Sequence, residues 1–263
     1  MLNNSIVEIA QENLFTITPV ITSVILVTLI LATIYIIYYF KLKKVKENEA
    51  PKGLVLIMQM AIAYIRSLVV EILGPKLEKL TPYFIYLFSY ILLSNVIGLI
   101  GFENPTGSLT VTLSMGFVTF IGLFVIGFKY QKISYLKKFC ICIKVKGKKI
   151  PVMVNPLEVI SQITPFISIS FRLWGNIFAG SLITSLWFFF TGYMSCKIPV
   201  VGVFNILGAI TIPPVNIYFD LLCGLIQALV FTLLTMVYWT LEKGEGVEET
   251  KLQKVVIHSN ANI

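Results

Sequence analysis

Three ionisable residues stand inside long uncharged stretches of this chain: Glu158, Arg172 and Asp220. Between Glu158 and Lys197 the only charged side chain is Arg172, one of two arginines in a chain whose other basic residues are almost all lysines. A charge at membrane depth costs roughly 3 kcal/mol on insertion scales, so such residues are candidates for function by default. The types suggest the chemistry. A guanidinium never sheds its proton, whereas Glu158 and Asp220 can take up and release one. Such groups on consecutive apolar segments suggest a hydrophilic path within the membrane.

Spacing sharpens this expectation. Glu158, Ser161, Pro165, Ser168, Arg172, Gly175 and Ala179 recur every three or four residues, and a helix lines them along one stripe. The stripe is small or polar between flanks of Ile, Phe, Leu and Trp, so it would let a partner approach closely onto Arg172. A second stripe, Asn216, Asp220, Gly224, Gln227 and Phe231, follows in the next apolar segment. Arg172 could instead pair with an acid and simply pin two helices. Glu158 lies about 21 Å away along a straight helix and is out of reach, which leaves Asp220. For Asn176 and Gln227, hydrogen bonding between helices is an alternative to a transport role.

These residues must be positioned by membrane helices. The 263 residues are 57% hydrophobic and 13% charged, with mean hydropathy +0.87, too apolar for a soluble surface. The expected fold is an all-α integral membrane domain of about five membrane helices, the last two long and tilted, plus one interfacial helix. Residues 19–40, 82–102 and 109–128 each match one bilayer crossing. Residues 151–190 and 198–241 run to about twice that length, which calls for strong tilt or re-entry. Residues 53–74 are interrupted by Gln59, Arg66, Ser67 and Glu71, mostly on one side, as in a helix lying on the membrane surface. Residues 1–18 then lie outside and 242–263 form a mobile cytoplasmic tail, with 19–241 a single membrane domain.

The net charge of +8 is placed for topology, and nucleic-acid binding is not expected. Lys41, Lys43, Lys44, Lys46 and Lys52 follow the first span, and another group runs from Lys129 to Lys149. Lysines clustered in short loops mark the cytoplasmic side, so the N-terminus is expected outside and the C-terminus inside. Cys140 and Cys142 form a C-x-C, but His258 is the only histidine, so reduced thiols are expected rather than a metal site. No nucleotide-binding, metalloprotease or hydrolase motif occurs, and neither a cofactor nor an enzyme activity is expected.

Several runs resemble a known family. "NPLEVISQITPFISISFRLWGNIFAG" and "LLCGLIQALVFTLLTMVYW" are similar to the last two helices of subunit a of F-type ATP synthases. "NPTGSLTVTLSMGF" and "PYFIYLFSYILLSNVIGLI" resemble earlier spans of that family. The resemblance implies a non-catalytic stator with two ion half-channels, working against a ring of c subunits beside subunit b and the peripheral stalk. Carried over by position, it implies that Arg172 is the fixed arginine, with Asn176 and Gln227 near it. It also makes Glu158 the acid of the cytoplasmic half-channel, with Ser168 beside it. Two positions depart from the common bacterial pattern: Ser181 stands where a carboxylate often follows the A-G, and Asp220 where a histidine often precedes the glutamine. One outer ionisable group has changed helices, with Asp220 as relay and Asn216 and Ser181 nearby. The expected location is the bacterial plasma membrane, with an organelle inner membrane as the alternative. A self-contained secondary transporter using Arg172 to bind an anion is the rival reading. It calls for internal repeats with broken helices in matching places, and none is found.

Overall fold

The computed structural model describes residues 19–44, 53–131, 135, 140–145, 148–196 and 205–243. Helix α1 is Pro19–Lys44 and α2 is Leu54–Leu73. Gly74, at φ 81, turns the chain into a 3-10 stretch, Pro75–Leu80, that leads directly into α3, Thr81–Val96. Two more 3-10 turns, Ile97–Ile100 and Pro105–Gly107, precede α4, Leu109–Gln131. A hairpin of β1, Cys140–Val145, and β2, Lys148–Val154, leads to α5, Pro156–Cys196. Last come α6, Ile206–Asn216, a π-helical segment, Ile217–Cys223, and α7, Gly224–Lys243.

Among the described residues, six helices are long and apolar enough to cross a membrane. This agrees with five membrane helices and one more, since the sixth, Val55–Leu73, is the stretch read as interfacial. The two long segments are a 41-residue helix and an α–π–α run.

Three boundaries differ from the sequence reading. Residues 151–154 belong to β2 and not to the long helix. Their apolar run merges with the helix by hydropathy, but Asn155 caps the helix start, its Oδ1 accepting from Leu157 N at 3.2 Å, and Pro156 takes the first helical position. The helix then extends to Cys196, beyond the expected 190. At the other end, Glu242 and Lys243 are the buried last residues of α7 and not the start of a tail. Residues 198–204 and 244–263 lie outside the described residues.

Apolar side chains cover the outside of the bundle as well as its core, and hydroxyls are buried among them. Large apolar side chains such as Leu29, Ile57, Val125 and Ile226 are exposed, while Thr112, Thr119, Thr232 and Thr235 are buried. Small residues let helices touch. A Cβ on Gly116 of α4 would collide with Ser170 Oγ of α5. Trp239 of α7 lies over Gly122, donates from Nε1 to the Thr119 carbonyl at 3.1 Å and stacks on Tyr83 of α3. Where lipid supplies no hydrophobic drive, such close packing and interhelical hydrogen bonds hold the helices together.

Candidate ion-translocation site

Helix α5 sets three stations on one rigid rod. Glu158 is in its first turn, Arg172 lies about 21 Å further along, and Ser181 about 13 Å beyond that. Pro165 sits inside the helix without ending it, removing one backbone donor in the stripe below Arg172.

Arg172 is exposed and has no hydrogen bond or ion pair among the described residues. The alternative in which it pins two helices by pairing with Asp220 is therefore not what the structure contains. Its stripe is open as well. Ser168, Gly175 and Asn176 are half-buried, Ser161 and Ala179 are exposed, and a Cβ on Gly175 would meet nothing within 4 Å. Around Arg172 and Gly175 the face cut for a close partner is open among the described residues.

The second stripe does not run as one face. Asn216 and Asp220 lead to a cavity, while Gly224, Gln227 and Phe231 are buried in the bundle. Gly224 packs on Asn95 of α3, which donates from Nδ2 to the Gly224 carbonyl at 3.3 Å. The reason is local. Pro213 and Pro214 deprive the α-helical ladder of two donors, and the π segment that follows holds more residues per turn, so the face rotates between Asp220 and Gln227. Gln227 keeps a buried Nε2 with no partner among the described residues.

A cavity of about 270 Å³ lies between α5, the π segment and the loop before α4. Ser181, Asn216 and Asp220 line it together with Asn104, Thr184 and Ser185. Thr184 Oγ1 donates to Asn216 Oδ1 at 3.0 Å, and Ser181 Oγ donates to the Phe178 carbonyl at 2.9 Å. Asn104 and Asp220 line the same space. The structure thus brings Ser181, Asn216 and Asp220 together and leaves Glu158 at the far end of α5.

A buried polar cluster near Glu158 was not singled out from the sequence. Gln162 Nε2 donates to Glu242 Oε1 at 2.8 Å, and Tyr135 Oη donates to Gln162 Oε1 at 3.4 Å. Gln131 Nε2 donates to the Glu242 carbonyl at 2.7 Å, and Lys243 Nζ to the Leu73 carbonyl at 3.0 Å. Burial, then the negative charges of Glu242 and Glu158, push the Tyr135 phenol up from its ordinary value. Gln162 lies one position off the polar stripe, and Glu242 ends the apolar run, so hydropathy counts it as tail. The available signal was that Glu242 falls about four helical turns after Gln227, on the same face.

A family model described as ATP synthase A chain matches residues 9–240. The chain belongs to that family. It is similar to a protein named ATP synthase subunit a from Mycoplasmoides gallisepticum, 40% identical over 252 residues that cover 92% of this chain and 85% of the other. Proteins of the same name from Mycoplasma pneumoniae and Mycoplasma genitalium are 35% and 34% identical, covering 94% and 96% of this chain and 90% and 92% of their own lengths. As a member of the ATP synthase A chain family it is a multi-pass membrane protein, a component of a larger machine and not its catalytic subunit.

Proposed function

We propose that this chain is the stator subunit a of a rotary F-type ATP synthase, translocating protons or another small cation through two half-channels against a ring of c subunits. The observation that carries this reading is Arg172, a guanidinium without a partner among the described residues, on the open stripe of α5. A ring carboxylate crosses lipid neutral and must release its ion at the stator. A guanidinium within about 4–6 Å lowers a carboxylate pKa by roughly 1–3 units, which favours that release. The same charge repels a free cation, so ions pass only by rotation of the ring. Glu158 serves the cytoplasmic half-channel and Asp220, in its polar cavity, the outer one. Ser168 and Asn176 flank Arg172, and Gln227 lies on the helix behind.

The topology belongs to the same reading: N-terminus outside, C-terminus cytoplasmic, and α2 flat on the cytoplasmic face of a bacterial plasma membrane. Antiparallel packing of α1 on α3 supports it. Tyr35 donates to Ser89 at 3.1 Å, while Val27 clusters with Ile97 nearer the other end. Lys44 and Thr81 then share a side. The end of α2 is level with the end of α7, since Thr240 Oγ1 donates to the Ile72 carbonyl at 2.9 Å. The peripheral stalk with subunit b and the catalytic head complete the assembly.

The test is substitution of Arg172 in the assembled complex in liposomes. Arg172→Lys is expected to assemble and lose ATP-driven ion pumping, because an ammonium lacks the planar fork and can lose its proton when desolvated. Arg172→Ala is expected to go further and leak ions under an imposed potential. An Arg172→Lys complex that pumps at a near-normal rate overturns the proposal.

A further inference from the structure

The loop before α4 is seated on the segment that carries Asp220. Thr106 Oγ1 donates to Asn95 Oδ1 at 3.0 Å, and the same Asn95 holds the Gly224 carbonyl, just past the π segment. Gly98 gives the loop its room, for a Cβ there would collide with Asn104 Oδ1. Seated in this way, Asn104 lines the outer cavity together with Asp220, which is the only ionisable residue among the described residues that line it. Asn104 Oδ1 is buried and has no hydrogen-bond partner among the described residues.

A carboxyl group that relays a proton alternates between two hydrogen-bonding characters. Ionised, it only accepts; protonated, it also donates. A partner that can only donate favours one state. An asparagine amide carries a donor and an acceptor on one soft torsion and can serve both. We infer that Asn104 is a positioning residue for Asp220. Its Nδ2 holds the ionised carboxylate, and after a half-turn of the amide its Oδ1 accepts from the carboxylic acid. The orphaned oxygen is the acceptor that the protonated state needs. The amide neither gains nor loses a proton: the proton that binds Asp220 from the outer solution is the one that leaves toward the ring. This inference rests on the reading of Asp220 as the outer relay.

The experiment uses the assembled complex in liposomes, with ion flux driven by an imposed potential and the outer pH varied. Asn104→Leu keeps the volume and removes both hydrogen-bonding groups. Asn104→Ser keeps a donor and an acceptor in one hydroxyl. Asn104→Leu is expected to assemble in normal amount and lower flux at neutral outer pH about tenfold. The outer pH of half-maximal flux should rise, because the bond lost by the charged form is the stronger one. Asn104→Ser should recover much of both. The charged groups around the π segment are few: α6 has none, α5 offers Arg172 and Glu158 and α7 Glu242 and Lys243, all outside the cavity, and Glu103 of the loop is exposed. Wild-type flux and pH profile in Asn104→Leu overturn the inference. So does an equal loss in both variants with an unmoved pH profile, which would mean loop packing alone. If Asn104→Leu does not assemble, an unmoved profile in Asn104→Ser overturns it. Asp220→Asn separates the two levels. Full flux in that variant sinks the relay reading and this inference with it, whereas a slow Asp220→Asn beside a normal Asn104→Leu sinks the inference alone.

Discussion

Ser181 and Asp220 stand on different helices and line one cavity, as the proposal of an outer acid on either helix requires. A carboxylate placed on either wall would face the same space. Asp220→Asn is therefore expected to slow ion entry from outside by about a hundredfold, the usual weight of a lost proton-transfer group. Adding Ser181→Glu should recover part of that, measured as ATP synthesis under an imposed outward-acid gradient. A double variant as slow as the single one would show that the two positions are not interchangeable. The residues legible in the sequence were those whose type clashes with their surroundings: Arg172, Glu158 and Asp220 declare themselves as charges in apolar runs. Asn104, Gln162 and Glu242 do not. An asparagine in a turn and a glutamate at a helix end are ordinary where they stand, and only packing brings them to the cavity of Asp220 and to the cluster around Tyr135.

Among the elements, the helices were readable because a long uncharged apolar run has the length and solubility of a bilayer crossing and suits little else. The hairpin was not, since β2 runs straight into the apolar start of α5 and carries no separate hydropathy signal. Nor was the π segment, because an extra residue in a turn leaves composition unchanged. Helix α2 is the element whose place in the membrane matters most for topology. The bond from Lys243 to the Leu73 carbonyl and the Arg66–Glu78 ion pair, Nη2 to Oε1 at 2.5 Å, hold its end and the following 3-10 stretch beside the end of α7. Position 77 is a poor site for a probe, because Leu77 is buried, whereas Lys76 is exposed. In a version lacking Cys140, Cys142, Cys196 and Cys223, Lys52→Cys and Lys76→Cys are expected to react with an impermeant thiol reagent from the cytoplasmic side only. Reaction of Lys76→Cys from the outside would mean that α2 crosses the membrane.

For the whole molecule, the central asymmetry is between a packed side and an open one. α3, α4 and α7 share the main core of Phe84, Leu123, Phe231 and Trp239, and α5 contributes only Ile169 and Leu173 to it. The rest of α5 is the least buried of the six long helices. An apolar face toward lipid would need no small residues, yet the open stripe of α5 is cut small around Arg172, which points to a second protein surface there. Two glycines separate these cases. Gly116 faces inward, and a side chain there collides with Ser170 Oγ and meets Phe166 at 3.2 Å, so Gly116→Leu should destabilise the isolated chain by about 1–3 kcal/mol. Gly175 faces open space, and in a helix interior leucine is favoured over glycine by up to about 1 kcal/mol. Gly175→Leu should therefore leave thermal unfolding of the detergent-purified chain unchanged or slightly raised, while co-purification with the c ring and ATP-driven pumping fall sharply. A lipid-facing glycine would give no such loss of assembly with stability kept. A Gly175→Leu complex that assembles and pumps like the wild type would mean that this face of α5 meets lipid and that the ring docks elsewhere.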